Sequence, residues 1–121
     1  MSHTTADYED VDPVGGGLHF LRDELDCESL GFSVLEADPG WVGKEHDHAE
    51  DGQEEVYFLV EGEATLTVDG VEGTSTSSRT SSGDGEEIRM EAGDAVRISP
   101  DATRRLENGP LESTFVLAGA P

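Results

Sequence analysis

An all-β fold, a sandwich or barrel of short strands, is what this sequence predicts, and three observations predict it. Apolar and β-branched residues come in short runs of three to six, not in helical stripes. Turn residues separate the runs. No stretch repeats at the helical period for more than about two turns. A chain of 121 residues with 34% hydrophobic content accommodates one domain with a lean core.

The elements follow in order. Residues 1–16 are polar and acidic and run into Gly15-Gly16-Gly17, which predicts a flexible N-terminal arm ahead of a β domain spanning 17–121. The expected strands are Leu18–Leu21, Phe32–Ala37, Val56–Val60, Ala64–Val68, Ile88–Met90, Ala95–Ile98, Arg104–Leu106 and Thr114–Leu117. Between them stand Asp38-Pro39-Gly40, Glu61-Gly62, Asp69-Gly70, Ala92-Gly93-Asp94, Ser99-Pro100-Asp101 and Asn108-Gly109-Pro110, which supply the fixed-φ or positive-φ positions of turns. Asp23–Ser29 reads as a short helical turn. Thr74–Ser82 carries eight Ser or Thr in nine residues. The stretch 72–85 is therefore read as a solvated loop inserted into a hairpin, whose deletion leaves the fold intact.

Charge narrows the function. Against 28 Asp and Glu stand 7 Lys and Arg, a formal net charge of −21. Nucleic acid and anionic lipid surfaces are excluded as partners, because both are bound through basic side chains. No segment approaches the roughly 20 apolar residues of a membrane helix. Met1 to Asp12 lacks the basic start and apolar run of a secretory signal, so a cytoplasmic location is expected. Carboxylates spread along the whole chain resemble the solvated acidic surfaces of proteins from salt-loving archaea. In molar salt, screening over about 3 Å removes the self-repulsion of such a charge. The single cysteine, Cys27, has no disulfide partner in the chain.

His46 and His48 are the concentrated histidines. Spaced by two on an extended segment they share a face, with Cα atoms about 6.6 Å apart. Both imidazoles can then converge on one ion at about 2.0–2.2 Å. Glu55 opens the most apolar run, where a carboxylate must be paired, protonated or bound to metal. Two histidines and a carboxylate form a facial set that suits Fe, Mn, Zn or Ni and leaves positions open for a ligand.

The stretch Gly40-(five residues)-His46-Asp47-His48-(six)-Glu55-(six)-Gly62 resembles the first motif of the cupins, departing only in the His–Glu gap, normally three or four. In the second motif Gly93 opens the stretch, Ser99 stands for the family's Pro, Asp101 for its Gly, Arg104 for its fourth metal-ligating His and Asn108 for its Asn. The resemblance spans about residues 30–120 and implies a double-sheet jelly-roll barrel, a divalent metal site and a homodimer. The wider gap leaves Gln53, Glu54 and Glu55 as candidates for the inward position, with the spacing to Gly62 favouring Glu55.

Arg104 changes the chemistry. Arginine offers no lone pair and cannot ligate a metal. A guanidinium about 5 Å from a dication is repelled by roughly 7 kcal/mol at an effective dielectric of 20. Two arrangements follow. Either His46, His48 and Glu55 hold a metal while Arg104 grips a carboxylate, such as that of an anionic small-molecule ligand; or Arg104 pairs with Glu55 and the histidines line a metal-free binding pocket. Tyr57 shares a face with Glu55 and, with Gln53 and Arg104, is expected to line the pocket. Trp41 is expected at its rim and His19 at the surface or an interface. Asp47, Glu50, Asp51 and Glu54 lack the glycine and register of a calcium loop and read as a solvated face. No phosphate loop, nucleophile elbow or Cys–His pair is present, so the sequence assigns no catalytic residue.

Overall fold

The computed structural model describes residues 2–69 and 86–121. The Ser/Thr-rich insertion expected at 72–85 lies outside the described residues. Among the described residues there are eight strands: β1 (Leu18–Phe20), β2 (Gly31–Ala37), β3 (Glu54–Glu61), β4 (Glu63–Asp69), β5 (Glu86–Glu91), β6 (Ala95–Ile98), β7 (Thr103–Asn108) and β8 (Ser113–Ala120). Each contains or closely overlaps an expected run. The helical turn expected at Asp23–Ser29 is the shorter α1 (Arg22–Leu25), stopped by Asp26 in the left-handed region at φ 62°.

Two antiparallel sheets face each other. One has the order β1-β2-β8-β3-β6 and the other β5-β4-β7. Alternation decides what each strand buries. On β3, Tyr57 and Leu59 point inward and are buried, while Val56, Phe58 and Val60 point outward and stay exposed. Register aligns Leu35, Phe115 and Leu59 in one row across β2, β8 and β3. The row Ile88, Leu66 and Leu106 crosses β5, β4 and β7 in the other sheet. These rows join in a single core that also holds Met90, Ile98 and Ala102. Burying each large member contributes about 1.5–3 kcal/mol.

Two positions close the barrel end opposite the histidines. Gly62, at φ 108°, turns β3 into β4 so tightly that a Cβ would stand 2.8 Å from the Cα of Ser113. Any other residue would push the sheets apart. The buried Asn108 Nδ2 donates to the carbonyls of Ala37 (3.2 Å), Asp38 (2.8 Å) and Leu111 (2.8 Å), and its Oδ1 accepts from Ser113 Oγ at 2.6 Å. One amide thereby ties the end of β2, the loop after it and the β7–β8 turn.

The segment expected as a flexible arm lies on the barrel. Tyr8 Oη donates to Glu36 at 2.6 Å, and the Tyr8 ring meets the His19 ring edge-on at 5.1 Å. His19 Nδ1 donates to the carbonyl of Val11 at 2.8 Å, and Trp41 Nε1 donates to that of Gly15 at 2.9 Å. His19, expected at the surface or an interface, is buried beneath the arm.

Candidate metal centre

The histidines ride on an extended segment that runs beside β7 without forming a regular strand. Gly43 N–H donates to Leu106 O, and His46 exchanges both backbone hydrogen bonds with Arg104 at 3.0 and 2.8 Å. His48 N–H donates to Pro100 O at 2.8 Å. Directly opposed residues of an antiparallel pair send their side chains to the same face. Hence His46 and Arg104 both enter the barrel.

Across the barrel Glu55 sits on β3 with its side chain 13% exposed. Its neighbour Glu54 points out and pairs with Arg97, so the inward position left open by the sequence belongs to Glu55. One ligand atom each from His46, His48 and Glu55 lies within 4.8 Å of the others. The imidazole rings stand at 88° with centroids 5.1 Å apart, and His48 Nε2 is 3.6 Å from Glu55 Oε1.

The second layer orients both rings. His46 Nδ1 is 3.1 Å from the carbonyl of Lys44, and His48 Nδ1 is 3.2 Å from Asp51 Oδ2. A carbonyl and a carboxylate only accept, so each Nδ1 is the donor, which leaves Nε2 as the ring nitrogen available to a metal. This is the arrangement that fixes tautomer and direction in metal-binding histidines. The hydrogen bond from His48 in turn holds the Asp51 carboxyl below its ordinary pKa. Asp51 was legible only as one more acidic residue; its position three after His48 is the signal that marks it.

Glu55 Oε1 is buried with no hydrogen-bond partner, as are Arg104 Nε and Nη1. Arg104 is 1% exposed, donates from Nη2 to Ser99 O at 3.3 Å, and holds Nη2 4.0 Å from Glu55 Oε1. A convergent pair of Nε2 lone pairs beside an orphaned carboxylate oxygen fits a divalent ion of borderline hardness. Arg104 supplies charge and no ligand.

A cavity of about 400 Å³ opens over this centre. His46, His48, Gln53, Glu55 and Tyr57 line it, while Arg104, expected at its wall, is sealed from it. Gln53 lies across two glycines that are neighbours on β2 and β8: a Cβ on Gly119 would come within 2.9 Å of its amide carbon, and one on Gly31 within 3.6 Å of its amide nitrogen. The glycines leave the notch that Gln53 occupies. Burial, reinforced by the Glu55 charge, raises the Tyr57 pKa well above its ordinary value, so its hydroxyl stays protonated. Trp41, expected at the rim, packs against the core beside a second cavity, described below.

No protein-family model matches the chain, and no curated protein matches it in sequence. Solved structures do. A cupin protein from Bacteroides fragilis superposes with a TM-score of 0.64 at 23% identity, over 96% of this chain and 86% of that one. An oxalate decarboxylase variant from Bacillus subtilis gives 0.78 at 16% identity, over 99% of this chain and 30% of that one. A further structure of the Bacillus subtilis oxalate decarboxylase, concerned with its Mn(II) centres, gives 0.75 at 17% identity. The chain spans under a third of the length of these decarboxylases. With its two facing antiparallel sheets and these neighbours, the chain has the jelly-roll fold of the cupins.

Proposed function

We propose that the chain is a small cupin that holds a divalent transition metal, Fe, Mn, Zn or Ni, through His46, His48 and Glu55 and binds a small molecule in the cavity above it. The observation that carries this reading is the pair of Nδ1 hydrogen bonds, which aim both Nε2 lone pairs at the space beside Glu55. When bound, such an ion supplies a Lewis-acid centre, with redox chemistry in addition if it is iron or manganese. Tyr57 contributes a protonated hydroxyl, Gln53 an amide, and Arg104 a buried positive charge that favours an anionic ligand. Self-association into a homodimer is supported by Val56, Phe58 and Val60, which are exposed on the outer face of the five-stranded sheet.

A second reading rests on the 4.0 Å between Arg104 Nη2 and Glu55 Oε1. There the guanidinium neutralises the carboxylate and the barrel is a metal-free binding or sensing module. Elemental analysis separates the two, on protein purified in high salt without chelator beside His46→Ala. About one equivalent of one metal, lost in the variant, supports the first reading. Protein that carries no metal and refuses added Fe(II), Mn, Zn and Ni establishes the second.

A further inference from the structure

The second cavity, of about 530 Å³, adjoins the metal centre. It shares Leu18, His46, Tyr57 and Leu117 with the cavity above the ligands. Beyond that shared wall its character changes. The remaining walls are mainly apolar, supplied by Val14, Leu35, Trp41, Val42 and Leu106. The volume falls within the range of small-molecule pockets, about 300–1,000 Å³. Its cover is built: the Val14↔Leu18 bridge and the hydrogen bond from Trp41 Nε1 to Gly15 O strap the arm across it.

The adjoining centre has the opposite character. A divalent ion with the Glu55 carboxylate has a net charge of +1, and the buried Arg104 guanidinium raises that to +2 within a few ångströms. Two of the three guanidinium nitrogens have no partner to spread this charge onto. An anionic oxygen head is favoured at one end of the space, and a mainly apolar wall stands at the other.

We infer that the ligand of this site is an amphipathic monocarboxylate, with its carboxylate at the His46–His48–Glu55 centre and its hydrocarbon body in the chamber beneath Trp41. The inference rests on the metal reading for the head and on the chamber alone for the tail. Tyr57, on the wall common to both spaces, marks the junction and offers a hydrogen bond to the head. Lys44 is the one Lys, Arg, Asp or Glu among the residues that line the chamber.

Trp41 is the only tryptophan in the chain, so its fluorescence reports the chamber directly. The test titrates acetate, butyrate, hexanoate and octanoate, and the matching primary alcohols, into Mn- or Zn-loaded and chelator-stripped protein. Metal content is measured on the same samples. The expected result is an affinity for the loaded protein that rises about fourfold per methylene. Carboxylates should bind at least tenfold tighter than alcohols, and that preference should vanish on stripping. Val14→Asp, at an exposed position over the chamber, should weaken octanoate at least tenfold and leave acetate unchanged. An affinity flat with chain length overturns the tail assignment, whatever the metal content. Equal binding of alcohols and carboxylates to protein shown to carry metal overturns the head assignment. Failure to load metal overturns the reading beneath it, and the chain-length slope in that protein still decides the chamber.

Discussion

Arg104 Nη2 and Glu55 Oε1 face each other across 4.0 Å of barrel interior, too far for a hydrogen bond and close enough for the charges to couple. The guanidinium steadies the carboxylate when no cation is present and opposes any cation that arrives. The same contact therefore stabilises the fold and would weaken the proposed metal site. Arg104→Met should lower the stability of metal-free protein by about 3–5 kcal/mol, since it strands a buried carboxylate. It should also raise metal affinity at least tenfold. Chemical denaturation with and without metal, beside a competition titration for affinity, checks both; unchanged affinity would refute the electrostatic account.

Asp51 acts through His48. Replacing it with Asn removes the acceptor charge that holds Nδ1–H, at a position where little is buried. Metal affinity should fall about 10- to 100-fold. Thermal stability of the metal-free protein should stay close to the parent. A variant that binds metal as tightly as the parent would show that the His48–Asp51 contact orients nothing.

Tyr8 anchors the arm through Glu36. That hydrogen bond, then loss of solvation and the neighbouring negative charges, raises its pKa to about 12. The folded value lies above the unfolded value of roughly 10, so the contribution is complete below about pH 10 and is lost as pH rises through 12. Ultraviolet titration of a Tyr57→Phe variant isolates Tyr8, which should ionise near pH 12. Ionisation near pH 10 would mean the arm is not held by this bond.

Asn108→Ala removes donors from the Ala37, Asp38 and Leu111 carbonyls and an acceptor from Ser113 Oγ. Most of these groups are buried, so the loss should be about 2–4 kcal/mol, measured by denaturant unfolding. Asn108→Asp should do comparable damage, because it keeps the acceptor and loses both N–H donors.

The charge of −21 predicts a salt requirement. Cooperative unfolding should be lost below roughly 0.5 M salt and restored above it. A melting temperature unchanged on dialysis to low salt would end the idea that the acidic surface is an adaptation to brine.

Strand positions were legible because alternation and turn chemistry are local: the run Val56–Val60, Tyr57 on the face of Glu55, and Gly62 at the turn all follow from short spacings. The His46–His48 pair and Glu55 were legible for the same reason. What could not be read was set by contacts between distant segments. Gln53 was expected at the pocket, but the notch it occupies exists only because Gly31 and Gly119 meet on adjacent strands. The arm lies down because Tyr8 finds Glu36 and Trp41 finds Gly15. Arg104 reads as a pocket-wall residue until its backbone partner is known; pairing with His46 carries the guanidinium inward, and burial then seals it.

The strand order has a consequence for how the chain is made. β8 lies between β2 and β3 in the larger sheet, and every bond joining the β1–β2 half to the β3–β6 half runs through it. A ribosome releases β8 after all the strands it unites. Until then the β4–β5 and β4–β7 pairings can form by themselves, while β2 and β3 present unsatisfied edges to solvent. Closure of the barrel, and with it the meeting of Glu55 and the histidines, waits for β8. Pairings of such long sequence separation set a slow clock for that step.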